Sequence, residues 1–353
     1  MSSSIGQSDK GAKKVQVGIV GLGFMSVAHI RGLRQLENVE IVAVCNPSGR
    51  RLDGDLSDVV GNVGDQTPVN LDMNTVTGYR DYEAFLEHPG MSVVDVCTPT
   101  KTHAELCIKA LARGHHVICE KPLSRTIEEA ESIVRAASES NGIFMPAMCL
   151  RFWPEWAWLK KAIDGGRYGK LQALHLRRIA EAPAWGHKNY FSGKESGGAL
   201  FDLHVHDLDF IQYCCGRPSR VYSSGFSKVS GAIDHVLTQY TVASGACVSA
   251  EGSWAMTSGF GFNMAYTAVF EEATVDYDLS RTEEALRLYR GGEKCEVVEC
   301  AGLDGYAAEL DYFLSCVRAG QEPTVVTAED ALFATKLCCA EEESVRTGEC
   351  VSL

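Results

Sequence analysis

The sequence predicts two linked folding units. The first is an α/β unit on a doubly wound parallel sheet; the second is an α+β unit on a mostly antiparallel sheet. Three observations carry this expectation. From Val15 to Met148, short apolar runs alternate with helix-periodic segments, the pattern of repeated β-α units. The first run leads into a glycine-rich turn and then a helix. After Arg151 the apolar runs are separated by turns and not by helices, as antiparallel strands are. The chain's 353 residues suffice for two domains. The expected divisions are a polar disordered tail over 1–14, a nucleotide-binding domain over 15–150, and an α+β domain over 151–353.

Val15-Gln16-Val17-Gly18-Ile19-Val20 reads as the first strand, and Gly21-Leu22-Gly23-Phe24-Met25-Ser26 as the turn opening a helix. Gly21 permits a tight turn, and Gly23 lets backbone amides approach a pyrophosphate at the helix N-terminus. Ser26 stands where a third glycine is usual. A second strand, Val39 to Cys45, ends at Asn46, where an acidic residue usually holds a ribose 2′-hydroxyl. Asn46 can still bond that hydroxyl, while Ser48, Arg50 and Arg51 can attract a 2′-phosphate. Both NAD and NADP therefore remain open. Strands Ser92 to Thr98, His116 to Cys119 and Ile143 to Met148 follow, with helices His103 to Arg113 and Thr126 to Asn141 between them.

In the second unit Pro154 to Asp164 reads as a helix, and strands are expected from Gln172, Val221, Val236, Cys247, Asn263 and Thr274. Helices over 305–319 and 327–347 close the chain. The net charge of −13 argues against nucleic-acid or anionic-membrane partners, which need a basic face. No apolar run is long enough to span a bilayer, and the N-terminus has no apolar signal core. The 14 cysteines show no Cys-x-x-Cys spacing, so reduced thiols in a cytoplasm are expected, with no metal site.

Two segments carry chemistry. Glu120-Lys121-Pro122 sets a lysine at the carboxyl end of a buried parallel strand, where open α/β sheets bind ligands. The proline restricts the backbone, by a cis bond or otherwise, and so directs the lysine. In Asp202-Leu203-His204-Val205-His206-Asp207-Leu208-Asp209, helical spacing sets Asp202, His206 and Asp209 on one face and His204 on another. A carboxylate four residues from an imidazole can orient it as a general acid or base.

Together these residues resemble the Gfo/Idh/MocA oxidoreductases, the glucose-fructose oxidoreductase and inositol dehydrogenase family. The matching pieces are Gly21-Leu22-Gly23, Thr98-Pro99-Thr100 with His103, Glu120-Lys121-Pro122, Arg151-Phe152-Trp153-Pro154, Gly197-Gly198 with Asp202-x-x-x-His206-x-x-Asp209, and Thr347-Gly348. They run in order from Val15 to Leu353. The resemblance implies a Rossmann domain, a second domain with a large open-faced sheet that supports homodimers or homotetramers, and NAD or NADP as cofactor. It implies that Phe24, Met25, Thr98, Pro99, Thr100, His103 and Glu120 line the cofactor, and that Lys121, Asp202 and His206 are catalytic. His204 stands where many members have glycine, an exchange expected to reshape the substrate pocket.

The implied reaction is hydride transfer between nicotinamide and a carbinol carbon of a sugar, cyclitol or related polyol. His206 takes the hydroxyl proton with Asp202 orienting it, or Lys121 shares that transfer; the sequence leaves the base between them. Substrate contacts are expected from Arg151 to Trp156, including Trp153, and from Arg177 to Tyr190, including Trp185, His187 and Tyr190. Aromatic faces with interspersed donors suit a polyhydroxylated ring. The rival readings are a cofactor-retaining lyase, epimerase or glycosidase, and a non-catalytic NAD(P)-binding regulator.

Overall fold

The structure is a computed structural model that describes residues 14–61, 67–182 and 192–353. The expected tail over 1–14 lies outside these residues apart from Lys14. Six strands form a parallel sheet in the order β3-β2-β1-β4-β5-β6. They are β1 (Val15–Val20), β2 (Val39–Cys45), β3 (Thr77–Tyr79), β4 (Val93–Val96), β5 (His116–Glu120) and β6 (Phe144–Ala147). Helices α1 (Phe24–Arg34), α2 (Tyr82–Leu86), α3 (His103–Ala112) and α4 (Ile127–Glu139) connect them. Every residue of β4 and β6 is buried, as strands covered on both faces are. The order reverses beside β1, which opens a crevice at the carboxyl ends of β1 and β4.

The second sheet holds nine strands among the described residues, in the order β14-β13-β12-β11-β7-β10-β9-β8-β15. After α5 (Pro154–Gly165) comes β7 (Leu171–Glu181), then the short helix α6 (Gly193–Ser196) and α7 (Val205–Cys215). The remaining strands are β8 (Arg220–Phe226), β9 (His235–Thr241), β10 (Cys247–Met256), β11 (Phe262–Phe270), β12 (Ala273–Asp278), β13 (Leu286–Arg290), β14 (Glu296–Val297) and β15 (Val351–Ser352). Helices α8 (Gly305–Ala319) and α9 (Ala328–Thr347) precede the last strand.

The sheet is mostly antiparallel, as expected, with β7 and β10 at its centre pairing in parallel. One departure stands out: β3, β13, β14 and β15 form strands where none was expected, each short and at or near a sheet edge, where few residues carry alternation.

One face of the large sheet is covered and the other is open. Along β9, burial alternates with exposure residue by residue, the signature of a half-solvated antiparallel strand. Tyr222, Phe226 and Leu237 project from the open face and are 48%, 51% and 42% exposed. Local signals end the helices as expected. Thr126 accepts the Glu129 N–H at the start of α4, and Thr327 and Asp330 form a capping box on α9. Left-handed Gly166, Gly320 and Gly348 stop α5, α8 and α9.

Between α7 and the sheet, close approach is set by Gly252 of β10. A Cβ there would lie 2.6 Å from both Cβ and Nδ1 of His204. His204 is fully buried, and its Nε2 lies 3.1 Å from the Tyr240 hydroxyl and 3.2 Å from a Glu341 oxygen. Gly252→Ala is therefore expected to destabilise the fold by about 1–3 kcal/mol through overpacking, read as a lower midpoint in urea unfolding.

Candidate active site

The glycine turn has the form a dinucleotide needs. Gly21 has φ of +91°, and a Cβ on it would lie 2.6 Å from the Cys97 carbonyl oxygen, so the turn passes tightly over the end of β4. A Cβ on Gly23 would meet nothing within 4 Å. Gly23 is the N-cap of α1, no side chain caps the helix, and its first turn has no acidic residue. A helix start with no side-chain cap and no acidic residue fits a pyrophosphate. Ser26 is buried and donates to the Gly23 carbonyl at 2.7 Å, so it serves the turn in place of a glycine. Phe24 packs over Gly61, and Met25 packs against the core.

The ribose end differs from its sequence reading. Both lone-pair directions of Asn46 Oδ1 are engaged by the backbone N–H and hydroxyl of Ser48, and its Nδ2 donates to the Arg50 carbonyl. Asn46 thus shapes its own loop. Arg51 is committed as well: it grips both Asp58 oxygens and donates to the Leu22 carbonyl at 2.6 Å. Only Arg50, 70% exposed and 3.8 Å from Asp58, keeps a guanidinium turned to solvent among the residues named for this end.

At the ends of β4 and β5 the loops are tied together by His103. It is fully buried, with Nε2 2.8 Å from the Thr98 carbonyl and Nδ1 3.0 Å from the Pro122 carbonyl. Burial holds its pKa below the ordinary histidine value. It supports the crevice from beneath and does not line it, a correction to its expected place. The Thr102 hydroxyl bonds the Thr98 hydroxyl and the Pro99 carbonyl, which shapes the Thr98-Pro99-Thr100 turn.

Lys121 and Asp202 meet across the two sheets' elements, and His206 lies beside them. The Lys121–Pro122 bond is cis. The lysine ammonium donates to the Asp202 carbonyl at 2.7 Å and to its carboxylate at 3.3 Å, with the two side chains 12% and 22% exposed. Asp202 lies in a π-helical turn, Leu200–His204, that runs into α7. This turn alters the phase assumed from regular helical spacing, and Asp202 pairs with Lys121 and not with His206. The Nδ1 of His206 is buried with no hydrogen-bond partner among the described residues. Burial, then the charges of Lys121 and Arg178, depress His206 well below the ordinary histidine value, so the ring is neutral near pH 7. A neutral, half-buried imidazole beside a held ammonium can take a proton from a hydroxyl set between them.

Other expected site residues serve the interior. Arg151 is 3% exposed; its guanidinium grips Asp209 at 2.8 and 2.6 Å and reaches Asp330 and the Val325 carbonyl. Burial works against its charge, and Asp209 outweighs burial. Trp153 packs edge-on against Tyr306 with ring centres 5.5 Å apart, and Trp156 is fully buried among Phe210, Tyr266 and Tyr277. Arg151 and Trp156 serve as structural support, while Phe152 to Glu155 between them are half-buried. Arg178, whose fixed charge reaches His206, was not singled out by sequence and is itself held by Asp207. His204 faces the sheet and not the site, so it does not reshape a pocket. Trp185, His187 and Tyr190 lie outside the described residues.

These features define a class: a two-domain oxidoreductase with a dinucleotide crevice facing a lysine–histidine–aspartate site. Residues 15–148 match the oxidoreductase family with an NAD-binding Rossmann fold, GFO_IDH_MocA, and residues 156–276 match the GFO/IDH/MocA C-terminal domain. The chain belongs to the Gfo/Idh/MocA oxidoreductase family. It is 27% identical to scyllo-inositol 2-dehydrogenase (NAD(+)) of Bacillus subtilis (strain 168), over 96% of each chain. It is 30% identical to the 2,7-anhydro-N-acetylneuraminate hydratase of Mediterraneibacter gnavus, over 60% of this chain and 53% of that one. Its fold matches that of levoglucosan dehydrogenase in complex with NADH and L-sorbose, with a TM-score of 0.82 and 21% identity over 97% of this chain and 99% of the other.

The reading of Arg151 as structural has a direct check. Arg151→Met leaves Asp209 buried without its cation and is expected to cost about 3–5 kcal/mol. Urea unfolding should show the midpoint falling with an unchanged slope, while the Michaelis constant of the folded enzyme stays near that of the parent.

Proposed function

We propose that the protein is an NAD(P)-dependent dehydrogenase or reductase acting on a secondary hydroxyl of a sugar, cyclitol or related polyol. The observation that carries this is the grouping of Lys121, Asp202 and His206 at the mouth of the crevice beside the open Gly21–Gly23 turn. When bound, the nicotinamide accepts or supplies the hydride. Neutral His206, half-buried beside Lys121, accepts the hydroxyl proton through the accessible part of its ring. The ammonium of Lys121 donates to the same oxygen and stabilises developing negative charge. Asp202 holds that ammonium through its carbonyl and carboxylate. The name of the Bacillus subtilis relative supports a cyclitol or sugar alcohol as substrate.

The hydratase relative favours a second reading, in which the cofactor is retained and returned unchanged. Conversion of a sugar derivative without net change in reduced-nicotinamide absorbance would select it. We assign residues 15–150 to the cofactor and 151–353 to substrate and self-association. The exposed Tyr222, Phe226 and Leu237 support a homodimer or homotetramer through the open sheet face. All 14 cysteines are free thiols, which supports a reducing, cytoplasmic setting. Among the described residues no helix is long and apolar enough to cross a membrane.

A panel of polyols and sugars, run with NAD and with NADP and read at the reduced-nicotinamide band, tests the reading. Lys121→Ala should lower turnover on the responding substrate by roughly 10²–10⁴-fold while leaving nucleotide binding largely intact. Near-parental turnover in that variant sinks the assignment.

The acid side of the pH profile gives a further test. His206 stays neutral to well below its ordinary pKa. Its proton-accepting form is therefore present above that lowered pKa and lost only as pH falls through it. Oxidation measured as kcat/KM should not decline as pH drops through about 6.5, and His206→Asn should lower it at every pH.

A further inference from the structure

The inward face of α1 carries a histidine that the chemistry above leaves unused. His29 is fully buried, and each ring nitrogen meets a carboxylate. Nδ1 lies 3.0 and 2.9 Å from the two Asp95 oxygens as a hydrogen bond, and Nε2 lies 3.0 Å from Oε1 of Glu120 as an ion-pair contact without hydrogen-bond alignment. The other Glu120 oxygen accepts the backbone N–H of Lys121 at 3.0 Å. An unbroken line of polar contacts thus runs from β4 through α1 to the amide of Lys121.

An ionised carboxylate only accepts hydrogen bonds, and a neutral imidazole has one N–H to give. A neutral ring that gives its one N–H to Asp95 turns a lone pair on Nε2 toward the Glu120 carboxylate 3.0 Å away, whereas an imidazolium sets positive charge against both carboxylates. The groups around it agree. From β4 come Asp95 and Cys97, with the Cys97 sulfur 3.5 Å from Nδ1. From β5 come Glu120 and, beyond it, Lys121. From α8 comes Glu309, 3.9 Å from Nε2, with Tyr306 nearby; Cys149 lies beyond Glu120 and Glu309. Burial opposes charge on His29, but Asp95 and Cys97 hold it well above its ordinary value. Burial pushes Glu120 up, and His29 with Lys121 brings it below its ordinary value. Glu309 is driven well above the carboxylate range by burial, and its oxygens have no hydrogen-bond partner among the described residues. Glu309 stands 3.9 Å from Nε2, farther than Asp95 and Glu120, so the close contacts of the ring are to those two carboxylates.

We infer that His29 is a positioning residue for the reaction: as an imidazolium it locks the Glu120 carboxylate, which fixes the backbone amide of Lys121 and aims its ammonium at the reacting oxygen. The inference rests on the reading of Lys121 as the group that meets that oxygen. His29 does not touch substrate or cofactor in this role. It acts through Glu120, from the helix whose first turn receives the pyrophosphate.

The test uses the full-length protein with His29→Gln, Glu120→Gln, the double variant and Lys121→Met. The first readout is independent of activity. Histidine-selective nitrogen-15 spectra of the parent should show His29 with both nitrogens protonated at pH 7, above the ordinary histidine value; a neutral ring at pH 7 overturns the inference. The second is kinetic, on the best substrate of the panel. His29→Gln should keep nucleotide affinity and KM within about twofold while kcat falls roughly 10–100-fold, the size expected when a reacting group is displaced. Its kcat profile should gain an ionisation on the acid side of neutrality, because Glu120 without its cation takes up a proton at higher pH. The double variant should lose no more than the worse single variant, since the two residues act as one unit. Parental kcat and pH profile in His29→Gln overturn the inference. So does a loss of melting temperature and nucleotide affinity with an unmoved profile, which marks a core histidine only. If His29→Gln does not fold, Glu120→Gln decides: lower kcat with nucleotide binding retained supports the inference, and parental kcat overturns it. An active Lys121→Met refutes the site itself, whereas an inactive Lys121→Met beside a parental His29→Gln refutes only the role of His29.

Discussion

The contact between Lys121 and Asp202 is the constraint around which the rest of the molecule is arranged. It joins the end of β5 in the parallel sheet to the turn that opens α7 over the large sheet. A partly buried ammonium needs a fixed acceptor, and a carbonyl with a carboxylate from the same residue supplies two. Each unit therefore contributes half of one polar site, and neither holds it complete.

α7 shows how the second half is held in place. Asp207 and Asp209 are both fully buried, and each is gripped by an arginine, Arg178 from β7 and Arg151 from the segment before α5. On a third side His204 meets Glu341 of α9 and Tyr240 of β9. A buried charge without a partner is strongly unfavourable, so each pair accepts only one seating of the helix. With those three directions fixed, Asp202 and His206 are left to face the crevice. The same rule governs the other unit, where His29 sits between Asp95 and Glu120 beneath the glycine turn.

The fold was largely legible in the sequence because its strands and helices repeat with clear periods. The apolar runs from Val15 to Met148 read correctly as parallel strands, and the helices expected to start at Thr126 and to end at Thr347 are bounded by the Thr126 cap and by left-handed Gly348. The short strands at or near the edges were hidden, since 2 to 5 residues carry little period. The site was legible where a residue was anomalous in its setting, as Lys121 is at the end of a buried strand. It was misread where polarity alone suggested function. Arg151 and His204 are polar because they have buried partners 58 and 137 residues away in sequence, and one sequence without its contact map cannot supply those. Asp95 was a missed signal: a lone carboxylate inside Val93-Val94-Asp95-Val96 demands a cation, and His29 is that cation.

The π-helical turn over Leu200–His204 has a consequence for how this segment can change. A regular α-helix advances about 100° per residue, and one additional residue in a turn shifts the phase of everything before it against everything after it. The turn therefore works as a splice between two angular frames. Within the turn Asp202 is aimed at a lysine of one unit and His204 is seated on Tyr240 and Glu341, while the helix after it keeps the frame that seats Asp207 and Asp209 on their arginines. One continuous segment thus serves two angular frames, with the change of phase confined to 5 residues.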